Sequence, residues 1–148
     1  MGETTPDIDV IYDIFQREFD LLDQQIGCRM KRKHEISGFP QLERDLYLIF
    51  DIVAITCDAG TGAWIHYHHD EPDWMDRAAE AFIHIGYPEI SDGIKHCLDV
   101  YLSRRDAMTY EDDEVVSNRI MDHEHDIMRS LYIYLVVHGF KFHSDNAQ

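Results

Sequence analysis

Basic residues are scarce in this chain. Only 13 Lys and Arg stand against 29 Asp and Glu in 148 residues, a formal charge of −16 with histidine neutral. A body of that sign repels phosphate, so direct binding of DNA, RNA or an anionic membrane is not expected. Four of the 13 bases, Arg29, Lys31, Arg32 and Lys33, fall within five positions. They read as a charged loop beside an acidic body. Cysteine is rare too: Cys28, Cys57 and Cys97 are odd in number and widely spaced, which matches neither a disulfide framework nor a zinc site. Cys57 and Cys97 lie in apolar stretches and are expected to be buried free thiols, which points to a reducing cytoplasm. The opening residues Met-Gly-Glu-Thr-Thr-Pro have no signal-peptide pattern. The apolar run 46–57 carries Asp51 and is too short to span a bilayer. No nucleophile elbow, phosphate loop or dinucleotide fingerprint is present. No catalytic residue is therefore assigned and no cofactor is expected.

What is there is helical periodicity. The hydrophobic fraction is 45% and the aromatic fraction 11%, enough for one packed core rather than an acidic tail. Nothing reads as a strand hairpin, an internal repeat or a domain boundary. The spacing predicts an all-α single domain over residues 1–148, structured from about 6 to 140, with about five helices around a buried central one. Helix one is expected over 6–26 and a basic connector over 27–39. Helix two follows over 40–58, with its apolar second half central and the Gly60-Thr61-Gly62 turn as its stop. A short aromatic segment, 63–69, leads to helix three over 73–85, ended by Gly86. Helix four opens at Pro88. A polar loop carrying Glu111, Asp112, Asp113 and Glu114 leads to helix five, which runs to His138 and is capped by Gly139.

The first helix carries the most informative pattern. At 100° per residue, Asp9, Asp13, Asp20 and Asp23 fall within an arc of about 80°. Ile8, Ile11, Ile14, Phe15, Phe19, Leu22 and Ile26 fill the other side. One face is committed to the core and the other presents spaced carboxylates to water. Carboxylates four residues apart sit about 6 Å apart along a helix axis, on the scale of phosphates. Such a row attracts what binds nucleic acid, although any acidic protein also has solvated acidic faces. A second acidic surface is Glu111, Asp112, Asp113 and Glu114 with Asp122 and Asp126; these acids can equally complement a helix dipole.

Ten histidines are many for this length. His66, His68 and His69 precede Asp70 and Glu71, and His123, Glu124, His125 and Asp126 cluster near the end. Histidine with carboxylate suits zinc or iron. His123 and His125 point about 200° apart on a helix, however, and no paired Glu-x-x-His occurs, so no metal ligand is assigned. Glu18 and Glu124 fall on apolar faces, where a carboxylate must be paired or liganded. A shared network with His123 would be a structural tie or an active site. Trp64, Tyr67 and Trp74 read as core or as the walls of a ligand slot.

The middle of the chain pairs the turn Thr61-Gly62-Ala63-Trp64-Ile65-His66-Tyr67-His68 with the segment Ala81-Phe82-Ile83-His84-Ile85-Gly86. Over about residues 46–103 this resembles the DNA mimic protein family. The family turn reads roughly Asn-Gly-Gly-Phe-x-Gln-Tyr-Phe, followed by an apolar helix ending in Ile-Gly. Gly62, Trp64, Tyr67, Ile85 and Gly86 match or are close; Thr61, Ala63 and His66 depart from Asn, Gly and Gln. The resemblance implies a compact helical domain, with a homodimer as one form it can take. In the family's namesake an acidic surface fills the DNA site of a transcription factor. The match covers turn and core positions, not the acidic row, so mimicry here rests on charge pattern.

These readings give an expected function. An acidic protein would bind and inhibit a basic nucleic-acid-binding protein, such as a repressor, a restriction enzyme or a CRISPR effector. The first alternative is an immunity protein that neutralises a basic toxin. The second is a metal protein or enzyme built on the His and Glu residues of helix five.

Overall fold

The computed structural model describes residues 5–29, 36, 38–68, 72–104 and 110–143. Among these residues the chain is all-helical. Its elements are α1 (Ile8–Arg29), α2 (Gln41–Ala59), α3 (Thr61–His68), α4 (Pro72–His84), α5 (Pro88–Arg104), α6 (Tyr110–Asp122) and α7 (Glu124–Val137). Seven helices replace the expected five, and both extra ones have a physical cause.

The first lies where an aromatic loop was expected. Gly60, at φ 89°, ends α2, a conformation that glycine adopts without a Cβ clash. Thr61 and Gly62 do not prolong the stop; they begin α3. Its first amides are capped from far away in sequence. The Thr61 amide donates to Ser117 Oγ at 2.9 Å and the Gly62 amide to Asp113 Oδ1 at 2.6 Å. Both acceptors stand on α6. A helix start held by a distant element leaves no local signature.

The second arises because expected helix five is broken at His123, where the backbone leaves helical geometry (φ −112°, ψ 14°). No proline or glycine marks the break. Glu124, the first residue of α7, meets Tyr12 of α1 and Cys57 of α2. Residues 111–114, expected in a loop, lie inside α6.

α2 packs against α1, α3, α4, α6 and α7. Its Leu46, Leu48, Ile49 and Ile52 are buried without residual exposure. Burial of such side chains contributes roughly 1.5–3 kcal/mol each and orders the helix more than propensity does. α1 adds Ile11, Phe15 and Leu22 to the same core. Phe15 meets Phe50 edge-on at 6.4 Å and sits 6.5 Å from Tyr132. α4 and α5 form an antiparallel pair joined at Gly86, whose φ of 93° reverses the chain. There the Tyr87 amide donates to Phe82 O at 2.8 Å. No helix among the described residues is long and apolar enough to cross a membrane.

α5 approaches α6 closely at Gly93, where an added Cβ would lie 2.5 Å from Val116 Cγ2. Gly93→Ala therefore trades a gain in helix propensity of about 1 kcal/mol against overpacking of about 1–3 kcal/mol. Urea unfolding should show a lower midpoint for this variant. A higher midpoint would mean that the two helices are not in contact there.

Candidate functional site

The acidic face of α1 is built by the same periodicity that builds its buried face. Asp9, Asp13, Asp20 and Asp23 are all exposed. Gln16 sits within the row and donates from Nε2 to Asp20 Oδ1 at 3.0 Å. Tyr47 of α2 donates its hydroxyl to Asp23 Oδ1 at 2.8 Å. Asp9 and Asp13 have no ion-pair partner among the described residues. The row is thus a rigid, solvent-facing line of carboxylates about 21 Å long from Asp9 to Asp23, at 1.5 Å rise per residue.

The second acidic surface has a different character. Asp113 turns inward, accepting from Gly62 and from Ser117 Oγ at 2.8 Å. Glu114 is half-buried, while Asp122 and Asp126 are exposed. Arg129 Nη1 approaches Asp126 Oδ1 at 3.6 Å. The side chains of Glu111 and Asp112 lie outside the described residues, as do Lys31, Arg32, Lys33, His69, Asp70, Glu71 and the side chain of Arg29. The α1 row presents four exposed carboxylates along one line; on α5, Glu89, Asp92 and Asp99 are a shorter exposed set on one face.

The residues of the family-like turn divide between core and surface. Trp64 is fully buried and donates its indole N–H to Asp51 Oδ2 at 3.0 Å. Trp74 is buried, with the His68 ring stacked on it at 4.7 Å. His68 Nε2 lies 3.5 Å from Asp51 Oδ2. Tyr67, expected to pack as core, is 62% exposed. His66 contacts the Tyr101 hydroxyl through Nδ1 at 3.1 Å. Gly62 supplies the capped amide of α3, and Gly86 supplies the reversal after α4.

Glu18 and Glu124 are not brought into one network with His123. Glu18 is 2% exposed and pairs with His143, accepting from its backbone N–H at 2.6 Å and from Nδ1 at 2.9 Å. Glu124 accepts from the Tyr12 hydroxyl and from Cys57 Sγ at 3.4 Å. His123 is exposed, with its ring near Tyr87. No three His, Cys, Asp or Glu side chains among the described residues come together in a way that could hold a metal ion.

Two further findings were not read from the sequence. Asp45 is 1% exposed and accepts from His84 Nδ1 at 2.9 Å and from the Tyr134 hydroxyl at 2.8 Å. Burial raises its carboxyl above the usual range, against the pull of those two bonds. The signal was present: on a helical wheel Asp45 falls between Ile49 and Ile52, as Glu18 falls between apolar neighbours on α1. Cys57, expected buried, is exposed. Burial of the thiol group and the adjacent Glu124 carboxylate push it up to about 11. The Tyr12 phenol is raised for the same two reasons.

Comparison with known proteins finds no match to this chain among family models, curated proteins or solved structures.

The raised thiol has a measurable consequence. Near pH 7 only about 1 in 10⁴ Cys57 side chains would be thiolate. In a Cys28→Ser background, iodoacetamide should alkylate Cys57 at least ~30-fold more slowly than a free thiol of ordinary pKa. The rate should keep rising beyond pH 9, and Glu124→Gln should accelerate it by about 10-fold at neutral pH. A plateau below pH 9 would show that Glu124 does not hold the thiol proton.

Proposed function

We propose that this chain binds and inhibits a basic nucleic-acid-binding protein by placing the carboxylate row of α1 where that protein would otherwise receive the DNA phosphate backbone. The observation that carries this reading is the exposed row Asp9, Asp13, Asp20 and Asp23 on one rigid helix of a chain with formal charge −16. Arg and Lys of a DNA-binding groove would meet these carboxylates with charge-assisted hydrogen bonds. Long-range attraction would speed the encounter and weaken with salt. The target classes that fit are a repressor, a restriction enzyme or a CRISPR effector.

The test is capture from host lysate by the tagged protein at about 0.1 M salt, with elution at about 1 M, where the screening length falls from ~10 to ~3 Å. A basic nucleic-acid-binding protein that elutes with salt is the expected result. A basic toxin in its place would assign the same face to immunity. Reversal of Asp9, Asp13, Asp20 and Asp23 to Lys should weaken the captured complex at least ~100-fold, about 2.7 kcal/mol, with helix content unchanged by circular dichroism. Unchanged affinity in that variant would remove α1 from the interface.

A further inference from the structure

The chain does not stop at the end of α7. Gly139, at φ 79°, reverses it, and the Phe140 amide donates back to Leu135 O at 2.9 Å. Residues 140–143 then run over α1 with the sequence Phe-Lys-Phe-His, alternating aromatic and basic. Phe142 stacks on Tyr132 at 5.4 Å and lies 6.4 Å from Phe15. His143 closes the segment: its backbone N–H and its ring Nδ1 both reach the Glu18 carboxylate, while Arg17 Nε donates to His143 O at 3.1 Å. An aromatic ring and a histidine from the segment after α7 thus occupy one seat on α1.

We propose that residues 139–143 are a displaceable strap, and that its seat on α1 accepts an extended aromatic–basic segment of the partner in its place. The identity of the incoming segment rests on the reading above that the partner is basic. Three observations support exchange. The contact is asymmetric: Glu18 is 2% exposed, but the His143 side chain is 56% exposed, so the donor can be reached from solvent. The strap lies outside any helix; beyond the turn at Gly139 and Phe140 it is fastened to α1 and α7 by hydrogen bonds at His143 and by the ring contacts of Phe142 with Tyr132 and Phe15. Beside it a cleft of about 350 Å³ opens between α1 and the start of α2, lined by Leu21, Leu22, Pro40, Leu42, Phe140 and Lys141. That volume admits a bulkier aromatic residue than the strap supplies.

The chemistry of the occupant follows from the seat. A carboxylate withdrawn from water requires a donor and preferably a charge. The ring cluster beside it requires an aromatic side chain one residue earlier. Arg, Lys or His after Phe, Tyr or Trp in an extended segment satisfies both. An acidic segment would be repelled by Glu18 and by Glu43 at the cleft.

The experiment uses the full chain and a fluorescent peptide of the strap's own sequence, residues 138–143, read by anisotropy. In wild type the tethered strap competes at millimolar effective concentration and holds peptide binding down. Phe142→Ala/His143→Ala should bind the peptide at least ~10-fold more tightly than wild type. Adding Glu18→Gln should remove that gain, and a peptide with Glu at both basic positions should not bind. If the double variant loses helix content, His143→Ala alone, which alters a side chain more than half exposed, is read instead, with a several-fold gain expected. Equal binding by wild type and a folded strap variant would overturn the proposal. Because the probe is not the partner, that failure would leave the α1 row untouched. Failure of the row-reversal test would likewise leave the strap result standing.

Discussion

A carboxylate taken out of water must be met by donors, and this constraint organises the molecule. Hydrophobic burial supplies the driving force but has no direction. The acids supply direction. Asp45 joins α2 to His84 of α4 and Tyr134 of α7. Asp51 joins α2 to Trp64 and His68 of α3. Asp113 holds the start of α3 from α6, and Glu124 joins α7 to α1 and α2. Glu18 fastens the C-terminal strap. All but the Asp51 contacts join residues at least 39 positions apart in sequence. Breaking a fully buried one leaves a charge uncompensated, at a cost of roughly 3–5 kcal/mol. Partly exposed ones are worth less.

The same constraint separates the acids that remain outside. Among the described residues the α1 row is hydrogen-bonded to another element through Tyr47, and Gln16 bonds to Asp20 within α1 itself. Like charges four apart on a helix cost about 0.2–0.5 kcal/mol each. The buried Ile11, Phe15 and Leu22 on the opposite face outweigh that cost. A repelling row kept on a well-packed helix departs from a local rule, and the proposed function rests on that departure. Asp9, Asp13 and Asp20 are therefore a different population of carboxylate from the ties, told apart by where their lone pairs go, while Asp23, which accepts from Tyr47 of α2, belongs to both.

Periodicity was enough to locate α1, α2, α4 and α5 and the face on which the row stands. It failed where the deciding contact was distant. Nothing local to residues 61–68 announces a helix, because Ser117 and Asp113 cap it from α6. The break at His123 has no proline or glycine; it coincides with Glu124 reaching Tyr12 and Cys57, 112 and 67 positions away. Glu18 and Glu124 stood out as acids on apolar faces, but their partners His143, Tyr12 and Cys57 lie 67 to 125 positions away. Cys57 was misread from the apolar run around it; it shares the wheel direction of buried Leu46 but lies in the last turn of α2, where Cys57, Asp58 and Ala59 are all exposed.

The most direct test of this division is the stability of two variants under urea. One replaces Asp9, Asp13, Asp20 and Asp23 by Asn, which has nearly the same helix propensity as Asp. The other replaces Asp113 by Ala and removes the cap of α3. The division predicts that the first is as stable as the parent chain or more so, while the second loses about 1–2 kcal/mol. A loss in the first variant equal to that in the second would contradict it, and would make the row part of what holds the fold together.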